Sequence, residues 1–324
     1  MDFNGSLFVQ YVIIGLASGG LIALIALGYT LVYGIVELIN FAHGEVFMMG
    51  AFLALTLVGF AGITADSSWG TIIGVALLAL AASMIFSAAI NAGIDRLAYR
   101  RLRNAPRLAP LITAIGFSFI LQNIGIYWLG SNPVSAPTLL PNQYRALNIL
   151  TEWFGFDTRI RLRIIDLAVF AITIPLLIGL SWFVYKTRTG KAMRAVAQDR
   201  EAAALMGIDI NRTISIAFLL GGSLAGAAGM IALFYNNAAR FQMGFRYGLF
   251  AFTAAVLGGI GNLSGAVLGG VCIGLVWALS DGFMKEYIPA WGAQWTPAVI
   301  FGVLVIVMVF KPSGLLGEQT PDKV

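Results

Sequence analysis

The chain has 324 residues, of which 59% are apolar and only 11% charged, with 20 basic and 15 acidic side chains. A soluble domain carries about 25% charged and 45–50% apolar residues, so this composition excludes a disordered chain and an ordinary soluble enzyme and points to a polytopic membrane protein. The formal net charge of +5 rests on too few side chains to build a nucleic-acid-binding face. One Cys (Cys272) and one His (His43) exclude an intramolecular disulfide and a His/Cys metal cluster within one chain.

Nine apolar segments follow one another, roughly 8–36, 46–60, 71–94, 109–130, 166–185, 213–235, 248–260, 263–281 and 295–310. They predict a single all-α permease-like domain over 1–324, with about 8–10 transmembrane or partly inserted helices. Segments 46–60, 248–260 and 295–310 are short, and the first two adjoin Gly or polar clusters. Such segments are expected to be broken or partly inserted helices lining a cavity.

Between the first two segments lies Glu37-Leu-Ile-Asn40-Phe-Ala-His43-Gly44-Glu45. Ionisable groups at membrane depth are costly and mark a pathway, whereas in a cytoplasmic loop they cost nothing. Both readings stay open for this stretch. Gly44 suits a tight turn opening a helix whose first amides favour an anion. A proton relay through His43 and Glu45 is the chemistry that an ion- or proton-coupled secondary transporter would need.

The loop 95–107 carries Arg96, Arg100, Arg101, Arg103 and Arg107, and the loop 186–212 carries Lys186, Arg188, Lys191, Arg194, Arg200 and Arg212. Nine crossings from an external N-terminus place both loops, and a tail with Lys311 and Lys323, on the cytoplasmic side. The loop 131–165 then falls outside, although it holds Arg145, Arg159, Arg161 and Arg163. Within 187–212, the Ala-rich run from Lys191 to Met206 predicts one slim helix stopped by Gly207. An exposed cytoplasmic helix without site chemistry reads as a docking element, or as a plain solvated helix.

Further on, Gly258-Gly-Ile-Gly261-Asn262-Leu-Ser264-Gly265 breaks the apolar pattern. It lacks the Lys-Ser/Thr of a phosphate loop. Gly44-Glu-Val-Phe aligns with Gly265-Ala-Val-Leu at an offset of 221 residues, a weak two-half internal repeat of the kind that transporters place near their path. Asn40, His43, Gly44, Glu45, Asn262 and Gly265 are therefore the translocation-path candidates. Small-xxx-small spacing at Gly15/Gly19, Gly222/Gly226 and Gly270/Gly274 predicts close helix packing. With neither a Walker motif nor a nucleophile–base set, no catalytic site is expected.

Leu38-Ile-Asn-Phe-Ala-His-Gly-Glu-Val-Phe-Met-Met-Gly-Ala resembles the signature of permeases in branched-chain amino acid ABC importers, of the LivH type. So do Thr189-Gly-Lys-Ala-Met-Arg-Ala and Phe252-Thr-Ala-Ala-Val-Leu-Gly-Gly-Ile-Gly-Asn-Leu-Ser-Gly-Ala. The resemblance spans nearly the whole chain. It implies a multi-pass protein of the bacterial inner membrane, working with a second, LivM-like permease, two ATPase subunits and a periplasmic binding protein. This chain itself would bind no cofactor, and ATP would be used by the partner subunits. Glu201, Ala202, Ala203 and Gly207 match the core of the family's ATPase-docking helix, while the later Leu-Pro of that pattern is missing. The implied substrate is an aliphatic amino acid, with urea, amides and organic acids as the alternatives within the same importer class.

Overall fold

The computed structural model describes residues 5–38, 40–64, 67–103, 105–106, 108–137, 160–288 and 291–317. Arg107, Arg145, Arg159 and Lys323, and most of the loop 131–165, lie outside the described residues. The helices are α1 (Gly5–Val36), α2 (His43–Phe60), α3 (Trp69–Ile94), α4 (Leu108–Leu129), α5 (Ile164–Lys186), α6 (Arg188–Gln198), α7 (Arg200–Leu205), α8 (Ile210–Asn236), α9 (Met243–Gly258), α10 (Leu263–Ala278) and α11 (Thr296–Phe310). Single π turns prolong α3 to Leu102 and α10 to Tyr287, and a 3-10 turn extends α11 back to Ala293, giving an 18-residue span Ala293–Phe310. Two-residue strands, β1 (Val134–Ser135) and β2 (Ala238–Ala239), pair antiparallel. Among the described residues, eight helices are long and apolar enough to cross a membrane, and α9 is a ninth, shorter apolar helix.

Contacts fix the direction of each helix. Arg200 donates to the carbonyls of Ile35 and Val36, so α1 ends at the face that carries the two basic loops. α8 runs the other way: Gly221 faces Gly28, while the Tyr235 hydroxyl donates to the Ile14 carbonyl. α1, α2 and α8 form the buried interior, whereas α3, α4, α5 and α11 turn most of their surface outward.

None of the short segments is internally broken. Instead α2 and α9 begin inside the protein, with His43, Gly44, Met243 and Gly244 all buried. From there α2 runs away from the basic face, and α9 runs towards it, ending where Leu315 and Leu316 donate to the Leu257 and Gly258 carbonyls. These opposed starts reveal the internal repeat in a different register from the Gly44/Gly265 alignment. Phe41, Gly44, Phe47, Ala51 and Phe52 correspond to Phe241, Gly244, Tyr247, Ala251 and Phe252, 200 residues later. Glu37 (φ 55°) and Asn237 (φ 53°), at the same spacing, end α1 and α8 in the left-handed conformation. The two halves are inverted relative to each other, the arrangement common in transporters.

Glycines permit the inner contacts. A Cβ on Gly274 would lie 2.3 Å from the Gly19 Cα, and one on Gly270 2.6 Å from the Ala23 Cα, so α1 and α10 touch backbone to backbone. Gly222 and Gly226 meet α3 at Ser83, Ser87 and Asn91. Such spacing lets lipid-embedded helices approach closely, and here it is used within one bundle. Gly274→Ala is expected to lower stability in detergent by about 1–3 kcal/mol through overpacking. Gly179→Ala, where a Cβ meets open space, should be neutral or mildly stabilising. Thermal unfolding of the purified protein, followed by a core-reactive thiol dye at Cys272 or by circular dichroism, measures the difference.

Candidate functional site

A helix that starts inside a protein leaves its first N–H groups without water. At the start of α2, Asn40 meets this need. Its Oδ1 accepts the Ala42 N–H at 3.2 Å, and the Asn40 carbonyl accepts the His43 N–H at 3.1 Å. Its Nδ2 donates to Asn91 Oδ1 at 3.2 Å, and Asn91 Nδ2 donates to the Phe218 carbonyl at 2.7 Å. One relay thus joins α2, α3 and α8. His43 is 1% exposed, with its ring against Gly28 and edge-on to Tyr29 at 4.7 Å. Neither ring nitrogen completes a hydrogen bond, the Ile25 carbonyl being the acceptor close by.

Glu45 is also 1% exposed. Its Oε1 accepts from Gln122 Nε2 at 2.8 Å and from Ser118 Oγ at 3.4 Å, both on α4. Oε2 has no hydrogen-bond partner and sits 2.1 Å from where a Cβ on Gly244 would be, at the start of α9. α9 has no side-chain cap of its own, so this carboxylate faces the positive end of that helix. Gly44 packs on Gly244 and Gly248, the central contact between the inverted halves.

The sequence candidates thus divide. Asn40, His43, Gly44 and Glu45 are buried together, whereas Glu37 is exposed. Asn262 and Gly265 lie at the turn from α9 to α10. There Asn262 Oδ1 accepts the Gly265 N–H at 3.0 Å, and its Nδ2 donates to the Leu316 carbonyl at 2.8 Å. A Cβ on Gly265 would meet the Gly258 carbonyl at 2.3 Å. These two residues shape a turn at the basic face and do not join the buried cluster.

The slim helix expected from Lys191 to Met206 is two helices, α6 and α7. Asp199 separates them, because its carboxylate accepts the Glu201 and Ala202 N–H groups at 2.9 and 3.0 Å and caps α7. Gly207 (φ 79°) ends α7. Ala203 is buried, while Glu201, Ala202 and Gly207 are exposed. Leu205 and Met206 stand 88% and 83% exposed at the tip.

Two features escaped the sequence reading. Ser83, Ser87, Asn91 and Asp95 are all fully buried, at four-residue spacing along α3. The serines donate to the Gly50 and Val46 carbonyls of α2, and Asp95 pairs with Arg103 at 2.9 Å and accepts from Ser215 at 2.6 Å. Polar period-four spacing inside an apolar run was the available signal. The second is Arg246, exposed on the first turn of α9, with its guanidinium 5.1 Å from the Trp277 ring centre.

The family model described as "Branched-chain amino acid transport system / permease component" matches residues 11–309. The permease protein BraD of the high-affinity branched-chain amino acid transport system of Pseudomonas aeruginosa is 38% identical over 322 residues, 98% of each chain. LivH of the corresponding Escherichia coli K12 system is 35% identical over 320 residues, again 98% of each. The solved structure of PsaBC from Streptococcus pneumoniae in complex with Fab aligns with a TM-score of 0.47 and 14% identity, over 94% of this chain and 92% of that one.

Gly244→Ala would press a methyl group on the Glu45 carboxylate. Its expected cost is about 1–3 kcal/mol, and about 0.5 kcal/mol or more of that should disappear in a Glu45→Ala background, because the two sites are in contact. A double-mutant cycle on unfolding in detergent measures the coupling, and strict additivity would refute the contact.

Proposed function

This chain belongs to the branched-chain amino acid transport permease family, and we propose that it is a membrane-spanning subunit of an ATP-driven ABC importer for aliphatic amino acids. The basic face is the cytoplasmic side, by the bias of Lys and Arg in short loops, which puts the start of α1 and the β1–β2 ladder on the periplasmic side. There a periplasmic binding protein delivers substrate. A second, LivM-like permease completes the path, and two ATPase subunits hydrolyse the ATP. The path runs over the surface above the buried cluster of Asn40, His43, Gly44 and Glu45, which holds the starts of the two short helices. Asn262 and Gly265 hold the turn at its cytoplasmic end.

The observation that carries this reading is α7. Glu201, Ala202, Ala203 and Gly207 place Leu205 and Met206 in the open at the basic face, where large apolar side chains need a partner's groove. Arg200 ties the same element to the end of α1 through two carbonyls. A push on α7 by closing ATPases thus reaches α1, the helix against which both halves pack. Rocking of the halves then alternates access to the path.

Leu205→Asp with Met206→Asp should abolish co-purification of the ATPase subunits and ATP-dependent leucine uptake, with the permease still inserted and folded. Uptake that persists in the absence of any ATPase subunit, and collapses with a protonophore, would overturn the proposal in favour of a proton-coupled carrier.

A further inference from the structure

Arg246 is an exposed cation on the first turn of α9, a short apolar helix. Its guanidinium carbon lies 5.1 Å from the Trp277 ring centre and 5.8 Å from that of Phe250. Trp277 follows Gly274 by one turn, and Gly274 touches Gly19, near the midpoint of α1 (Gly5–Val36). Helical side chains lean back towards the N-terminus of their helix, so the Trp277 ring returns towards that level. Arg246 is therefore held in the middle of the bundle's height, yet it is exposed at the surface of the subunit. Among the described residues the ion pairs are Arg103–Asp95 and Arg163–Asp166, and Arg246 takes part in neither.

A guanidinium facing lipid at this depth is costly, and such residues face water-filled paths or partners. The repeat argues against a structural demand, because the matching position in the first half is Val46, fully buried. The Trp277 and Phe250 rings lie near the guanidinium carbon without taking up its N–H groups, the groups that grip a carboxylate in bidentate fashion. The neighbouring Phe245, 60% exposed, offers an apolar contact.

We propose that Arg246 lines the translocation path and receives the carboxylate of the passing amino acid, while Phe245 meets its aliphatic side chain. The assignment rests on the importer reading above and adds to it a residue that contacts substrate.

The test uses the assembled importer in liposomes, with its binding protein and labelled leucine. Arg246→Gln should lower leucine moved per ATP hydrolysed by about tenfold or more, with assembly and binding-protein-stimulated ATP hydrolysis retained. In a Cys272→Ser background, Arg246→Cys should react with water-soluble methanethiosulfonates from the periplasmic side. The aminoethyl reagent, which restores a positive charge, should recover part of the transport, and the sulfonatoethyl reagent should recover none. Wild-type leucine-to-ATP ratios in Arg246→Gln would overturn the proposal. So would an Arg246→Cys unreactive in the assembled importer, or loss of permease pairing on substitution, which would assign the side chain to lipid or to the partner permease. Labelling does not depend on which solute is carried. Failure of the wild type to move leucine, with Arg246→Cys still labelled from water, would therefore strike the substrate reading and leave the path assignment standing.

Discussion

Two short helices of this protein start within the bundle, and the interior is organised around their ends. An α-helix that begins at a membrane surface can leave its first amides to solvent; one that begins inside the bundle must find protein acceptors. At α2 the acceptor is Asn40, held by Asn91, which in turn reaches the Phe218 carbonyl. At α9 the Arg240 and Gln242 carbonyls accept the Met243 and Arg246 N–H groups, while the carboxyl of Glu45, on α2, packs against Gly244. Each short helix therefore depends on groups outside its own length, and the buried polar stripe on α3 binds α2 along two of its turns through Ser83 and Ser87.

The inverted repeat places the same backbone device twice and fills it with different chemistry. Gly44 and Gly244 permit the same close approach, and the Phe47 and Tyr247 rings meet across it, tilted, at 5.2 Å. The neighbouring positions diverge. Glu45 is buried beneath α4, while its counterpart Phe245 is open. Val46 is buried, while its counterpart Arg246 is exposed. Symmetry accounts for what holds the halves together, and the departures from it mark where the two halves do unlike work.

Force from the basic face has a short route inward. α7 is brief, capped by Asp199 and closed by Gly207, so it is a rigid knob at the end of α6. Arg200 grips the last carbonyls of α1, and α1 contacts α10 through glycine at Gly15 and Gly19. Backbone contact without intervening side chains transmits displacement with little slack, since packed interiors are nearly incompressible.

The sequence by itself determined the nine apolar segments, the basic face, the stop at Gly207 and the family motif around Gly44, because these depend on local composition, charge and backbone preference. Its reading of Glu37 to Glu45 left depth undecided, and it missed the break at Asp199, since one carboxylate capping two amides outweighs a helix-favouring run only when its geometry is seen. It also set the repeat in the wrong register, matching Gly44 to Gly265 on turn chemistry. The true correspondence, Gly44 with Gly244, lies in aromatic spacing and in two left-handed residues, Glu37 and Asn237. Only the tertiary structure decided that Asn40, His43 and Glu45 are buried together and that Asn262 and Gly265 are elsewhere. Only it showed Arg246 bare on an inner helix turn. Burial and pairing are properties of contacts between residues far apart in the chain, such as Glu45 with Gln122 and Gly244, and no local pattern encodes which distant surfaces meet.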